Sequence, residues 1–283
     1  PLDELSDSQH QQNLNEALAD GNHKSARTAS ATAVMSMIGK EVLKGWQVPL
    51  PLSRIYDLPK AVVAPVGCAN QMTLAADGTR VPTQRLTHDQ SFSFSDIPSL
   101  NARIRDEDLS PCMYGWTVQR LLHRIVQLRQ KEPTTPILMC KFDVKSAYRR
   151  LHNTADVCFQ SIIATADISK MVDMVIMALR MTFGNKPGPA IFSNITDCIV
   201  DLANALMQME EWDPKTLFSP WSLQIKEPVY LPEDIPYAPA RSLIVTLDDI
   251  ECGAADGYID DCANVFLANS ETNILKVARA IPL

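Results

Sequence analysis

The sequence predicts an α+β fold built around an antiparallel sheet. Three observations point there. Apolar segments fold back on tight acidic corners at residues 71–89 and 255–267. Segments 29–44, 116–131 and 188–211 carry apolar residues at helical spacing. The two kinds of segment alternate irregularly, without the strand–helix–strand rhythm of a parallel sheet.

Taken in order, residues 8–20 and 29–44 are rich in helix formers. The second has Ala33, Val34, Met37, Ile38, Val42 and Leu43 on one stripe and stops at Gly45. Residues 46–70 are proline-rich and read as irregular. Met72-Thr73-Leu74, a turn at Asp77-Gly78 and a return from Val81 form the first expected hairpin. Residues 116–131 read as a helix with an apolar stripe of Leu121, Leu122, Ile125, Val126 and Leu128. Its other face carries Arg120, His123, Arg124, Arg129 and Lys131. Residues 136–144 read as a buried strand, and 156–166 and 174–183 as two more. Residues 188–211 form a helix opened by Pro189. Residues 212–240 hold six prolines and read as an insertion, followed by a strand at 242–247. The second hairpin turns at Asp260-Asp261, and a last helix follows from about residue 270.

Composition narrows the function classes. Of 283 residues, 46% are hydrophobic and 21% charged, which excludes collagen-like, low-complexity and disordered chains. No apolar run approaches the ~20 residues of a membrane-spanning helix, so no membrane partner is expected. The polar start is no signal peptide. The first residue is not Met and the end falls just after an apolar segment, so a piece of a longer protein is expected. Seven scattered cysteines without a Cys-x-x-Cys pair suggest reduced, mostly buried thiols in the cytoplasm or nucleus. The net charge of −7 argues, taken alone, against nucleic-acid binding. It is unevenly spread. From Arg80 to His152 there are twelve Lys or Arg against seven Asp or Glu, a net +5; residues 201–256 hold eleven acidic and three basic groups. A basic surface within an acidic chain is therefore open.

Two acidic positions end apolar strands. Asp143 closes Ile137-Leu138-Met139-Cys140-Lys141-Phe142, and Asp260-Asp261 sits between Tyr258-Ile259 and Cys262-Ala263-Asn264-Val265-Phe266. Paired carboxylates at the edge of a core repel unless a cation lies between them. Oxygen-only donors suit Mg²⁺, and three carboxylates can hold two ions ~3.5–4 Å apart for in-line phosphoryl transfer. A solvated turn is the alternative for any such pair. Asp248-Asp249, after Leu243-Ile244-Val245-Thr246-Leu247, is a competing site.

Four blocks then fall into one known order. Lys141-Phe142-Asp143-Val144-Lys145-Ser146-Ala147-Tyr148-Arg149-Arg150 resembles the first palm motif of reverse transcriptases. Met181-Thr182-Phe183-Gly184-Asn185-Lys186-Pro187-Gly188-Pro189-Ala190-Ile191-Phe192 is similar to their second, and Tyr258-Ile259-Asp260-Asp261 to their Tyr-x-Asp-Asp box. Arg85-Leu86-Thr87-His88-Asp89-Gln90-Ser91-Phe92, with Ser99-Leu100-Asn101, resembles the fingers motif in its retrotransposon form. The resemblance covers roughly residues 70–267.

It implies a right-hand polymerase palm with a fingers subdomain and a thumb absent or truncated. The expected divisions are an N-terminal helical extension and linker (1–70), fingers (71–135), palm (136–211), insertion (212–241) and remaining palm (242–283). The implied activity is DNA synthesis from dNTPs on an RNA or DNA template with a primer, inside a retroelement polyprotein. Asp143, Asp260 and Asp261 would be the catalytic carboxylates, and with the Val144 carbonyl would hold two Mg²⁺ ions, Mn²⁺ being a possible substitute. Arg85 would grip the triphosphate, Ser146 and Ala147 would offer amides to it, Tyr148 would lie under the sugar, and Phe183 and Gly184 would shape the pocket. Arg149, Arg150, Arg120, Arg124 and Tyr258 would touch the nucleic acid. One departure stands out. Where these enzymes carry a fingers Lys before the hairpin glycine, the chain has Leu74-Ala75-Ala76, with Arg80 the nearest cation. An RNA-dependent RNA polymerase palm and a catalytically inactive palm serving as a binding module are the alternatives.

Overall fold

The computed structural model describes residues 4–75, 77–109, 112, 114–168, 173–214 and 253–281. In chain order its elements are α1 (Asp7–Asp20), α2 (Lys24–Thr28), α3 (Ala31–Leu43), β1 (Gln47–Pro51), β2 (Val66–Leu74), β3 (Arg80–His88), α4 (Thr117–Lys131) and β4 (Ile137–Asp143). There follow α5 (Ala155–Phe159), β5 (Ile162–Ala164), β6 (Met174–Ala178), α6 (Gly188–Gln208), β7 (Gly253–Tyr258), β8 (Asp261–Leu267) and α7 (Glu271–Ala280). All strand pairs within the sheets are antiparallel, so the chain is α+β as expected. The expected strand at 242–247, the Asp248-Asp249 pair and most of the 212–241 insertion lie outside the described residues.

Contacts group the chain into two units, residues 1–109 with 146–188 and residues 110–145 with 189–283. The boundaries thus differ from those expected at 70, 135 and 211. Residues 1–70 share a unit with the first hairpin.

In the first unit, Ser6 starts α1 through a capping box with Gln9, and Ser30 caps α3 by accepting from the Ala33 amide. The region expected to be irregular contains β1, which pairs with β6 at the edge of the sheet β1-β6-β5. Its two prolines explain both the misreading and the tolerance. The amide of Leu52 donates to Asp173, two residues in phase from Leu50 and Val48. Pro49 and Pro51 lie in the opposite phase, which faces away from β6, where a missing N–H costs no ladder bond. The β2–β3 hairpin begins at Val66, earlier than expected, and pairs through to His88. Asp77 fixes its turn by accepting from the amide and hydroxyl of Thr79. Residues 156–166, expected to be one strand, instead give α5 and the three-residue β5. Buried Asn22 joins elements distant in sequence: its amide donates to the Ala164 carbonyl and its oxygen accepts from Val66 N.

In the second unit, the central strand β8 of the sheet β4-β8-β7 is covered on both faces, whereas β4, expected to be a buried strand, is an edge strand with Leu138 41% and Met139 60% exposed. The period-2 alternation of a strand sorts its side chains. Ala263, Val265 and Leu267 of β8 meet Leu121, Ile125 and Leu128 of α4. Cys262 and Phe266 meet Val200, Ala203 and Met207 of α6 and Val277 and Ala280 of α7. Each fully buried Val, Leu or Phe contributes about 1.5–3 kcal/mol. The α4 stripe is narrower than expected: Leu122 and Val126 are each 55% exposed, and Thr117 and Arg120 take the buried positions instead. Among the described residues α6 alone is long and apolar enough to cross a membrane by length and composition, although Val200, Ala203 and Met207 are spent on this core. No described cysteine is in a disulfide. Cys158 and Cys262 are buried, whereas Cys198 is exposed, against the expectation for most thiols.

Candidate active site

The second unit brings the carboxylates of separate motifs to one end of one sheet. Asp143, the last residue of β4, pairs in register with Asp261, the first of β8; Tyr258, the last of β7, pairs with the same Asp261. Residues directly opposite in adjacent strands project to the same face, with Cβ atoms about 4.5–5.5 Å apart. Asp143, Asp261 and Tyr258 therefore form a row on the sheet face that α4 covers further along. Asp260 occupies the turn, where its carbonyl accepts from the Val144 amide at 3.1 Å. Among the described residues no three His, Cys, Asp or Glu side chains are gathered as a metal cage. Asp261 Oδ2 instead receives Lys141 Nζ at 2.8 Å, the diagonal neighbour on β4. That ion pair raises the Lys141 pKa, first through the hydrogen bond to Asp261, with the charges of Asp261, Asp143 and Asp260 adding. A lysine drawn to this row marks it as a cation-attracting edge built of oxygen donors, the set that suits Mg²⁺ or Mn²⁺.

Backbone strain concentrates at the same two motifs. Among the described residues only Lys60, Ser146 and Ile259 combine a side chain with positive φ. Ile259, at φ 56°, directly precedes Asp260; Ser146, at φ 56°, follows Asp143 by three residues. A β-branched residue in the left-handed region costs about 1–2 kcal/mol and persists only where its surroundings impose it. Here those surroundings are visible. Thr196 of α6 donates to the Ile259 carbonyl, and Thr117 of α4 donates to the Gly257 carbonyl. Gly257 lets α6 approach, since a Cβ there would come within 2.7 Å of Thr196 Cγ2. Beneath the turn, Arg120 makes a bidentate pair with Asp256, Nε to Oδ2 at 2.5 Å and Nη2 to Oδ1 at 2.6 Å, both side chains 8% exposed.

Arg120 is thus a strut under the hairpin, not a surface cation for phosphates. Arg149 is similarly withdrawn in the first unit: it pairs with Glu41 at 2.8 Å and donates to the Met181 carbonyl. Arg150 is exposed, Arg124 is half-buried with its guanidinium 3.4 Å from Gln127 Oε1, and Tyr258 is 45% exposed.

The first unit gathers the residues expected to meet the nucleotide. The Arg85 guanidinium lies 3.6 Å from the Phe183 ring centroid, and Tyr148 meets the same ring edge-on with centroids 4.9 Å apart. Tyr148 and Ala147 are buried. Gly184 has φ 99°, and a Cβ there would fall 1.8 Å from the His88 carbonyl oxygen, so only glycine fits. Its carbonyl accepts from Asn101 Nδ2 at 2.7 Å; the same amide donates to Ser91 Oγ, and Asn101 Oδ1 accepts from Lys186 N. Asn101 therefore ties the fingers block to the second motif. His88 is buried and its pKa falls to about 3, first through burial and then through the charge of Arg149. It is neutral at ordinary pH. Sequence reasoning missed Thr117, Thr196 and Asp256. The available signal was Asp256 itself, a lone charge inside the small-residue strand Gly253-Ala254-Ala255.

No protein-family model matches the chain, and no curated protein matches it.

Proposed function

We propose that the chain carries the fingers and palm of a reverse transcriptase from a retroelement. It would transfer deoxynucleotides from dNTPs to a primer 3′-hydroxyl on an RNA or DNA template, in the cytoplasm or nucleus. The observation that carries this is the in-register placement of Asp143 beside Asp261 on one sheet face, with Asp260 in the strained turn between β7 and β8. Three carboxylates gathered at the ends of two adjacent strands supply the oxygen donors that in-line phosphoryl transfer uses.

Asp143, Asp260 and Asp261 would hold two Mg²⁺ ions, which when bound acidify the 3′-hydroxyl and neutralise the leaving pyrophosphate. Lys141 would be displaced from Asp261 by that charge. Thr117, Thr196 and the Arg120–Asp256 pair hold the hairpin so that its carboxylates need little reorganisation. In the first unit, Arg85 presents a planar donor to the phosphates while Phe183 fixes its plane. Tyr148, whose ring meets that of Phe183 edge-on, would lie under the sugar, where it would clash with a 2′-hydroxyl. The remaining polyprotein would supply thumb and further enzymes.

Primer extension by the full-length protein tests this. Extension should require Mg²⁺ or Mn²⁺, use dNTPs over ribonucleotides, and fail in Asp260→Asn. A marked ribonucleotide preference would instead indicate an RNA-dependent RNA polymerase, and absent metal-dependent extension would leave the binding-module alternative.

A further inference from the structure

Two helices of the second unit carry apolar surface that its own core does not use. α4 exposes Val118, Leu122 and Val126, one helical turn apart. α6 exposes Cys198, Leu202 and Ala205, and Met209 follows just past its end; Leu202 is 66% exposed. Steps of three and four residues make each set one continuous stripe along its helix. α6 is apolar enough to cross a membrane by length and composition, yet only 39% of its most apolar window is buried within the chain. Asp197 and Asp201 stand in its middle, which a lipid core would not accept. The surplus apolar surface therefore suits contact with protein.

The charges beside the two stripes are opposite in sign. From Thr117 to Lys131, α4 holds four Lys or Arg and no Asp or Glu. Arg120 turns inward to Asp256, but Arg124, Arg129 and Lys131 remain beside the stripe. From Gly188 to Pro214 there are five Asp or Glu and no Lys or Arg. Lys276 of α7 approaches the end of this segment, where its ammonium donates to the Met209 carbonyl at 2.7 Å. A stripe flanked by one sign of charge repels a copy of itself and attracts its opposite. α4 against α4, or α6 against α6, would bring like charges together, whereas α4 against α6 pairs unlike ones. Within one chain the two helices lie on opposite faces of β8, α4 on Ala263, Val265 and Leu267 and α6 on Cys262 and Phe266. They can meet only between copies. A nucleic acid would suit the cations of α4 but would set its phosphates against Val118, Leu122 and Val126.

We propose that the second unit associates head to tail with a second copy of this chain, α4 of one copy seated on α6 of the next. Each copy in a pair then keeps one unused α4 and one unused α6, so the contact can add copies beyond a pair. Cys198 lies within the contact. The inference uses neither the carboxylates nor the polymerase reading.

Sedimentation of the whole chain over a wide range of concentration tests this. Average mass should rise past that of a pair with concentration and should fall as salt is added. Leu122→Glu and Leu202→Lys, both at exposed positions, should each weaken self-association by at least about tenfold. Mixed together, the two variants should associate again, because one supplies an intact α6 and the other an intact α4. That recovery also shows that both are folded. Leu43→Glu, at an exposed position of the first unit, should leave association unchanged. Alkylation of Cys198 should slow as mass rises in the parent, but not in Leu122→Glu. The proposal is overturned if the chain stays single at every concentration, or if only one of the two variants weakens association, which would mean that like helices pair. It is equally overturned if the mixture stays dissociated, or if Cys198 is alkylated at one rate whatever the mass.

Discussion

Arg120 decides whether the strut under the Tyr258–Asp261 hairpin has been assigned correctly. Its guanidinium and the Asp256 carboxylate meet through two short hydrogen bonds, and both side chains are 8% exposed. Two unit charges about 4 Å apart interact by roughly 4 kcal/mol at an effective dielectric of 20, most of which repays desolvation. Removing one partner leaves the other charge buried and alone, which costs about 3–5 kcal/mol. Arg120→Met should therefore lower the unfolding free energy by about that much in a urea titration followed by circular dichroism. Replacing both, as Arg120→Met/Asp256→Leu, removes the buried charges together and should recover most of the loss. A phosphate-contacting arginine gives the opposite pattern: unchanged stability, weaker nucleic-acid binding and a shallower salt slope. A loss below about 1 kcal/mol in Arg120→Met, or no recovery in the double variant, would refute the strut.

Two further predictions use the first unit. Gly184→Ala forces a Cβ into the His88 carbonyl at a backbone angle that side chains avoid, so it should cost about 3 kcal/mol or more in the same assay. His88 is neutral when folded, with a pKa near 3, but titrates near 6.5 once unfolded. The unfolded chain binds the extra proton between those values, so this group's contribution is full above pH 6.5 and is lost as pH falls toward 3. Near pH 5 the slope it adds is about 1.4 kcal/mol per pH unit, and His88→Gln should show a correspondingly flatter decline than the parent; equal slopes would contradict a buried neutral imidazole.

Where local rules and packing agreed, the fold could be read in advance. The helical period of α3 up to Gly45, the Asp77-Gly78 corner and the hairpin around Asp260 each carry their own signal within a few residues, although Leu43, read into the α3 stripe, is 90% exposed. β1 could not be read that way. Pro49 and Pro51 suppress strand propensity, and only the register against β6 shows that both face away from the ladder. α4 failed for a related reason. Its helical period was clear, but which face is buried depended on Asp256, 136 residues away, which takes Arg120 inward and leaves Leu122 and Val126 outside. At the candidate site the carboxylates were legible because Asp143 and Asp260-Asp261 end apolar strands. The pins that hold them, Thr117 and Thr196, were not, since a threonine on a helix looks alike whether it faces solvent or a strained turn.

The central claim is that Asp143, Asp260 and Asp261 act together as a metal-dependent nucleotidyl-transfer centre. Single-nucleotide primer extension, with Mg²⁺ at saturation, measures it most directly in Asp143→Asn, Asp260→Asn and Asp261→Asn variants of matched folding stability. The account predicts that each loses about 10³-fold or more in rate, and that combining two of them adds little, because the carboxylates work as one unit. Extension at the parental rate in Asp143→Asn or Asp260→Asn would contradict it.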